Sequence, residues 1–287
     1  MIHPDGSPAA GLPELNTTTV DAARLGLVGP RLSWMEAGQG APVLLLHGMA
    51  RNSRSACFLM QGLAPQARVI AWNAPGYLLS DRLLAEAPSA EAYADAAVAL
   101  LDALGETGLV HVVGSAFGAV VATALAARHP GRVATLALTG PSRGQRWKGA
   151  EARAMMLAMR AASIAEGGIA FAGARWQTLV APGTEEVVGD LVRAALAATD
   201  APGLMAAARC SDLVDVVVDF APRVLAPSLV ISGSRDAVNP LPVAQAVAAA
   251  IPFSRFVALE GVGHLPELEA PAQLLALLRA HMGLPAA

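Results

Sequence analysis

Val113-Gly114-Ser115-Ala116-Phe117-Gly118-Ala119 stands where a short apolar run ends and an alanine-rich helical segment begins. Gly114 and Gly118 lie two residues either side of position 116. That spacing suits a tight turn from strand to helix, because Cβ atoms at those two places would collide as the backbone folds back on itself. In the pattern G-x-S-x-G, such a turn exposes its central serine as a nucleophile. Here the central residue is Ala116, which brings no hydroxyl. Ser115 is a poor replacement. Its own neighbours two residues away are Val113 and Phe117, which are too bulky for the turn.

Outward from this turn, short Val-, Leu- and Ile-rich runs recur at 42–46, 68–72, 109–113, 133–139, 228–232 and 255–259. Each is nearly continuous in apolar character and most are bounded by Gly, Pro or Asn, as expected of strands buried on both faces. Helical patterns alternate with them. The segment 89–104 has Ser89 as N-cap and Glu91 in its first turn, 117–129 stops at His129-Pro130-Gly131, and 271–282 is amphipathic. Alternation of this kind predicts an α/β fold with a mostly parallel central sheet and helices on both faces. From 141 to 222 the rhythm breaks: only helical patterns occur, such as 151–166 and 185–199. The expected organisation is therefore a core in two parts, 1–140 and 223–287, with a helical cap at 141–222 over the sheet edge where α/β folds bind ligands. Residues 1 to about 30, polar and rich in Pro and Gly, read as an arm.

With 54% hydrophobic residues the chain of 287 can bury a large core, and with only 4% aromatics that core must be built from Ala, Val and Leu. A net charge of -3 gives no reason to expect nucleic acid or an anionic membrane as partner. Met1–Gly6 lack the features of a secretory leader, and no apolar run reaches the ~18 residues of a membrane span. A cytoplasmic protein acting on a small molecule is expected, with monomer and homodimer both open. Cys57 and Cys210 read as two reduced thiols rather than a disulfide framework or metal site.

Three further motifs follow strand signals. Leu45-Leu46-His47-Gly48-Met49 ends an early run, where Gly48 leaves the Met49 N–H able to face a developing oxyanion together with the Phe117 N–H. Asp236 lies in the loop after 228–232, placed to orient an imidazole. His264, in Gly261-Val262-Gly263-His264-Leu265-Pro266-Glu267, follows 255–259 and is suited to act as general base and then acid.

Taken together, in the order oxyanion loop, nucleophile, Asp, His, these motifs resemble the α/β-hydrolase superfamily, of the capped bacterial small-molecule type. The resemblance runs from about residue 31 to the C-terminus and includes Asn73-Ala74-Pro75-Gly76-Tyr77, similar to the family's Asp-x-Pro-Gly-x-Gly-x-Ser loop. It implies a triad of position 116, Asp236 and His264, an oxyanion hole of Met49 and Phe117, an acyl-enzyme route to ester, lactone or amide hydrolysis, and no metal or organic cofactor. Asn73 replaces the family's usual Asp, Leu78 its common Gly, and Ala116 its nucleophile. Because both glycines, Asp236, His264 and the oxyanion loop all persist, the expectation is a native serine replaced by alanine, giving an inactive form that still holds substrate. The alternative is a natural ligand-binding homologue, or an enzyme using the His264–Asp236 pair as a base without a covalent step. Ring-cleavage carbon–carbon hydrolases are also similar, although they usually carry Trp directly after the catalytic His, where this chain has Leu265. Arginines near the loop and in the cap suggest a substrate carboxylate, with His47, Arg51, Arg54, Arg146 and Trp147 as the expected substrate contacts.

Overall fold

The six apolar runs form six neighbouring parallel strands of one sheet, and two further strands extend it at one edge. The structure is a computed structural model that describes residues 11–285, so the reading of Met1–Gly6 falls outside it. The strands are β1 (Leu15–Thr19), β2 (Arg31–Ala37), β3 (Ala41–Leu46), β4 (Ala67–Asn73), β5 (Val110–Ser115), β6 (Val133–Thr139), β7 (Ser228–Gly233) and β8 (Ser254–Leu259). Their order across the sheet is β1-β2-β4-β3-β5-β6-β7-β8. Only β2 runs against the rest, pairing antiparallel with both β1 and β4. The arm reading of the N-terminal segment is thus corrected for the part described. Thr17, Thr18 and Thr19 belong to an edge strand whose side chains are only partly covered, so no apolar run marks it.

The helices are α1 (Ala22–Leu25), α2 (Cys57–Leu63), α3 (Ala90–Ala103), α4 (Phe117–Arg128), α5 (Ala150–Ala165), α6 (Gly168–Arg175), α7 (Glu186–Ala197), α8 (Ala201–Leu213), α9 (Val216–Asp219), α10 (Leu241–Ala250), α11 (Pro266–Glu269) and α12 (Pro271–Met282). Ser89 caps α3 by accepting from the Ala92 N–H at 3.2 Å, and Gly283, left-handed at φ 70°, ends α12. The side chains of each strand alternate between two cores. Leu44 and Leu46 join Leu100, Leu101, Val121 and Leu125 of α3 and α4 on one face. Val43 and Leu45 join Met60, Leu63, Leu274 and Leu278 of α2 and α12 on the other. Each such residue contributes about 1.5–3 kcal/mol by leaving water.

From β3 the chain crosses first to β4 on one side and then to β5 on the other, so the strand order reverses between β3 and β5. The loops that leave these two strands must part there, opening a crevice at their carboxyl ends. The His47-Gly48-Met49 loop and Ala116 lie at that crevice. Above it, α5 to α9 fill the chain between β6 and β7, with no strand among the described residues of that segment. Arg143 grips Asp215 with two bonds of 2.7 Å, and the Val216 N–H donates to the Arg143 carbonyl at 2.8 Å, so the cap's entry and exit are tied together. Leu179, Val188, Val192 and Leu196 of the cap then pack on Cys57, Phe58, Leu265 and Leu268 of the core.

Candidate active site

Ala116 follows β5 and precedes α4 with φ 52° and ψ -110°, a backbone conformation that costs a non-glycine residue about 1–3 kcal/mol. The surroundings impose it. The Ala116 N–H donates to the Thr139 carbonyl at 3.0 Å, and its own carbonyl accepts from Ala119 and Ser142 at 3.1 and 3.2 Å. A Cβ on Gly118 would run into the Leu46 carbonyl, and one on Gly114 into the Gly118 carbonyl and the Ala122 methyl. Both glycines are therefore required by close backbone approach. Ser115 points the other way, where its Oγ accepts from Arg51 Nη2 at 2.8 Å.

His264 and Asp236 meet. His264 Nδ1 lies 2.8 Å from Asp236 Oδ2, with both side chains buried. The second carboxylate oxygen, Oδ1, accepts the Val238 and Asn239 N–H groups, each at 2.8 Å, which fixes the carboxylate in place. Gly140, at φ 48°, presses against this pair: a Cβ there would lie 3.2 Å from His264 Nδ1 and 3.3 Å from Asp236 Oδ2. Asn239 Nδ2 donates to the Gly140 carbonyl at 3.0 Å. Neither Gly140 nor Asn239 stood out as a site residue in the sequence, since the contact between them joins residues about a hundred positions apart.

The His47-Gly48-Met49 loop, the expected oxyanion loop, comes to the same place. A Cβ on Gly48 would sit 3.1 Å from the Ala116 methyl, and Met49, Ala116, Phe117 and His264 line one cavity of about 570 Å³ beneath the cap. The Met49 and Phe117 amides make no bond to another described residue. Of the expected substrate contacts, Arg51 and Trp147 line this cavity, but Arg51 is held in a buried ion pair with Glu267. Burial lowers its pKa to about 10, so it stays charged. The other three lie elsewhere. His47 is buried, with Nδ1 2.8 Å from the Gly48 carbonyl and Nε2 accepting the Ala74 N–H at 3.1 Å; burial lowers its pKa to about 4 and keeps it neutral. It clips the oxyanion loop to the loop after β4. Arg54 is exposed beside a separate apolar pocket, and Arg146 pairs with Asp219 at 2.5 Å and donates to the Leu213 carbonyl.

The histidine loop has a support that sequence reading missed. Glu269 Oε2 accepts the Gly263 N–H at 2.9 Å and Oε1 the Leu265 N–H at 3.1 Å, bracketing His264. The same Oε2 accepts from the cap's Ala181 N–H at 2.8 Å and Thr184 hydroxyl at 3.3 Å, while the His264 N–H donates to the Leu179 carbonyl at 3.1 Å. The sequence signal was two glutamates, Glu267 and Glu269, directly after the histidine loop. Cys57 and Cys210 are buried and free, and no group of three or more His, Cys, Asp or Glu among the described residues could hold a metal ion. No helix among them is long and apolar enough to cross a membrane.

Comparison with known proteins agrees with this fold. A stretch of 115 residues is 36% identical to 2-hydroxymuconate semialdehyde hydrolase of Pseudomonas sp. (strain CF600), covering 39% of this chain and 40% of that one, so the match spans about two fifths of each. Among solved structures, a thermophilic esterase from Thermogutta terrifontis superposes with a TM-score of 0.81 at 25% identity, over 92% of this chain and 97% of the esterase. The enol-lactonase of Burkholderia xenovorans LB400 shares the fold, with a TM-score of 0.80 at 21% identity over 92% and 99% of the two chains. The family model for the alpha/beta hydrolase fold matches residues 41–203, from the start of β3 through the elbow and most of the cap, and the chain belongs to that family.

Proposed function

We propose that this is the active site of a serine-type hydrolase for a small ester, lactone or amide, present here in a form without its nucleophile. The observation that carries the reading is the convergence of Ala116, the bonded His264–Asp236 pair and two unengaged amides on one capped cavity. With serine at 116, Oγ would attack the substrate carbonyl while His264 Nε2 takes its proton, Nδ1 being occupied by Asp236. The carbonyl oxygen, now negative, would be received by the Met49 and Phe117 N–H groups. The proton would pass to the leaving alcohol or amine as the carbon–oxygen or carbon–nitrogen bond breaks. A water, deprotonated by the same imidazole, would then release the acid and restore the serine. With alanine at 116 the covalent step has no atom to perform it, and the cavity binds substrate without turning it over.

One relative favours a second reading. The hydrolase of Pseudomonas sp. (strain CF600) is named for a muconate semialdehyde, which fits cleavage of a carbon–carbon bond. The test is a rate survey of the Ala116→Ser protein on esters, lactones, amides and a ring-cleavage dienoate. The proposal expects hydrolysis of at least one of the first three, exceeding the alanine form by about a thousandfold or more. Activity on the dienoate alone would move the function to the second reading, and activity on none would overturn both.

A further inference from the structure

Five arginine and lysine side chains line the cavity over Ala116, and no aspartate or glutamate does. Two of the five are neutralised from behind, Arg51 by Glu267 and Arg143 by Asp215. Arg160 of α5 is different. It has no ion pair among the described residues, and its Nη1 lies 2.8 Å from the Met49 thioether sulfur, a weak acceptor that brings no charge. Burial is the main influence on it, followed by repulsion from Arg175; together they lower its pKa to about 10, which leaves it protonated at neutral pH. Lys148 likewise rests on neutral groups, 3.5 Å from the Met156 sulfur and 5.3 Å from the centre of the Trp147 ring. Arg175, at the end of α6, also faces the cavity and is shifted down by burial.

A buried cation is costly unless an anion balances it, and two guanidinium groups that repel each other make the cost larger. The carboxylates around the site cannot serve, because Asp236, Glu267 and Asp215 are each engaged by His264, Arg51 and Arg143.

We propose that Arg160, with Lys148 beside it, forms a subsite for a substrate carboxylate. The location sets the spacing. Arg160 touches the side chain of Met49, whose amide belongs to the oxyanion hole, so the carboxylate sits one methionine side chain away from the reacting carbonyl. Half-esters of short dicarboxylic acids have that separation, a few bonds between ester and acid. Of the carboxylate contacts expected from sequence, Arg51 lines the cavity but is paired with Glu267, while Arg54 and Arg146 face elsewhere. The identity of the reacting group rests on the hydrolase reading above; the anion preference does not.

Because the alanine form should not consume its ligand, binding can be measured on the chain as it stands. Titration with monomethyl glutarate and with dimethyl glutarate, followed by NMR, should show the half-ester binding at least tenfold more tightly. Arg160→Gln should reduce that preference to threefold or less, and Arg160→Lys should retain part of it. Arg193→Gln, which removes a charge paired with Glu186 on the cap's exposed side, should leave it unchanged. Equal binding of the two esters, no measurable binding of the half-ester, or a preference that survives Arg160→Gln would each overturn the subsite. In the Ala116→Ser protein the ratio of kcat/KM for acid over neutral ester should follow the same order. An inactive serine form that still prefers the half-ester would remove the hydrolase reading and leave the anion subsite standing. A serine form that hydrolyses both esters equally would do the reverse.

Discussion

Ala116 has no steric need for its conformation, since an alanine in ordinary extended or helical backbone would be unstrained. It sits at φ 52° because Thr139, Ser142, Leu46 and the glycines at 114 and 118 fix the turn around it. The turn is thus built by its neighbours and not by the residue at its tip, which is why the pattern of glycines remained readable in a sequence with alanine there. Leu78 gives the complementary case. It stands where the family commonly has glycine, and its φ of 45° shows the left-handed turn that glycine would suit. His47, expected at the substrate, instead holds two backbone groups in the core, a role that depends on burial the sequence does not display. That role predicts an acid sensitivity. The folded imidazole has a pKa near 4 against 6.5 when unfolded, so the unfolded chain binds more protons between these values and stability rises with pH through that window. The contribution is complete above pH 6.5 and is lost as pH falls towards 4, amounting to on the order of 3 kcal/mol. Urea unfolding at several pH values should show this loss, and His47→Gln should flatten it by about one proton's worth of slope. An unchanged acid limb in that variant would show that His47 does not titrate as described.

At the level of elements, the strands β3 to β8 and the helices α3, α4 and α12 were legible because each is long in one hydrophobic period and sharply bounded. β1 was not legible, being a threonine-rich edge, and β2 was obscured by Ser33, a buried polar residue satisfied by Ser80 and Asn73. The least legible element is α11, a single turn whose importance is purely tertiary. Through Glu269 it fixes the amides on both sides of His264 and joins them to Ala181 and Thr184 of the cap, and through Glu267 it reaches Arg51 of the oxyanion loop. Three parts of the site therefore depend on four residues of helix. Glu269→Gln would set an amide NH₂ against backbone donors and loosen the loop. In the Ala116→Ser background kcat should fall about tenfold to a hundredfold, the range expected for a displaced catalytic group. KM should change less than threefold if Glu269 positions the imidazole and does not touch substrate. A fall in KM-controlled rate alone, with kcat intact, would assign Glu269 to cap closure and not to His264.

Across the whole molecule, the order of strands sets the crevice between β3 and β5, and the insertion after β6 roofs it. Loops leaving β3, β5, β7 and β8 then supply Met49, Ala116, Asp236 and His264 from points spread over more than two hundred residues. That constellation could be read from the sequence because each member follows a strand signal within a short, glycine-marked loop. The cap's chemistry could not, because Arg153, Arg143 and Arg146 are told apart from Arg160 only when Asp212, Asp215 and Asp219 are placed opposite them. On the proposed reading all of this converges on position 116, where one oxygen atom would separate the chain from a complete hydrolytic site. The most direct measurement is intact-protein mass spectrometry of the Ala116→Ser protein after treatment with a fluorophosphonate that labels active-site serines. The account predicts one adduct per chain, dependent on His264 and absent both from the alanine form and from Ala116→Ser carrying His264→Ala. A serine form that folds as the parent does and acquires no adduct, or one that is labelled equally without His264, would contradict it.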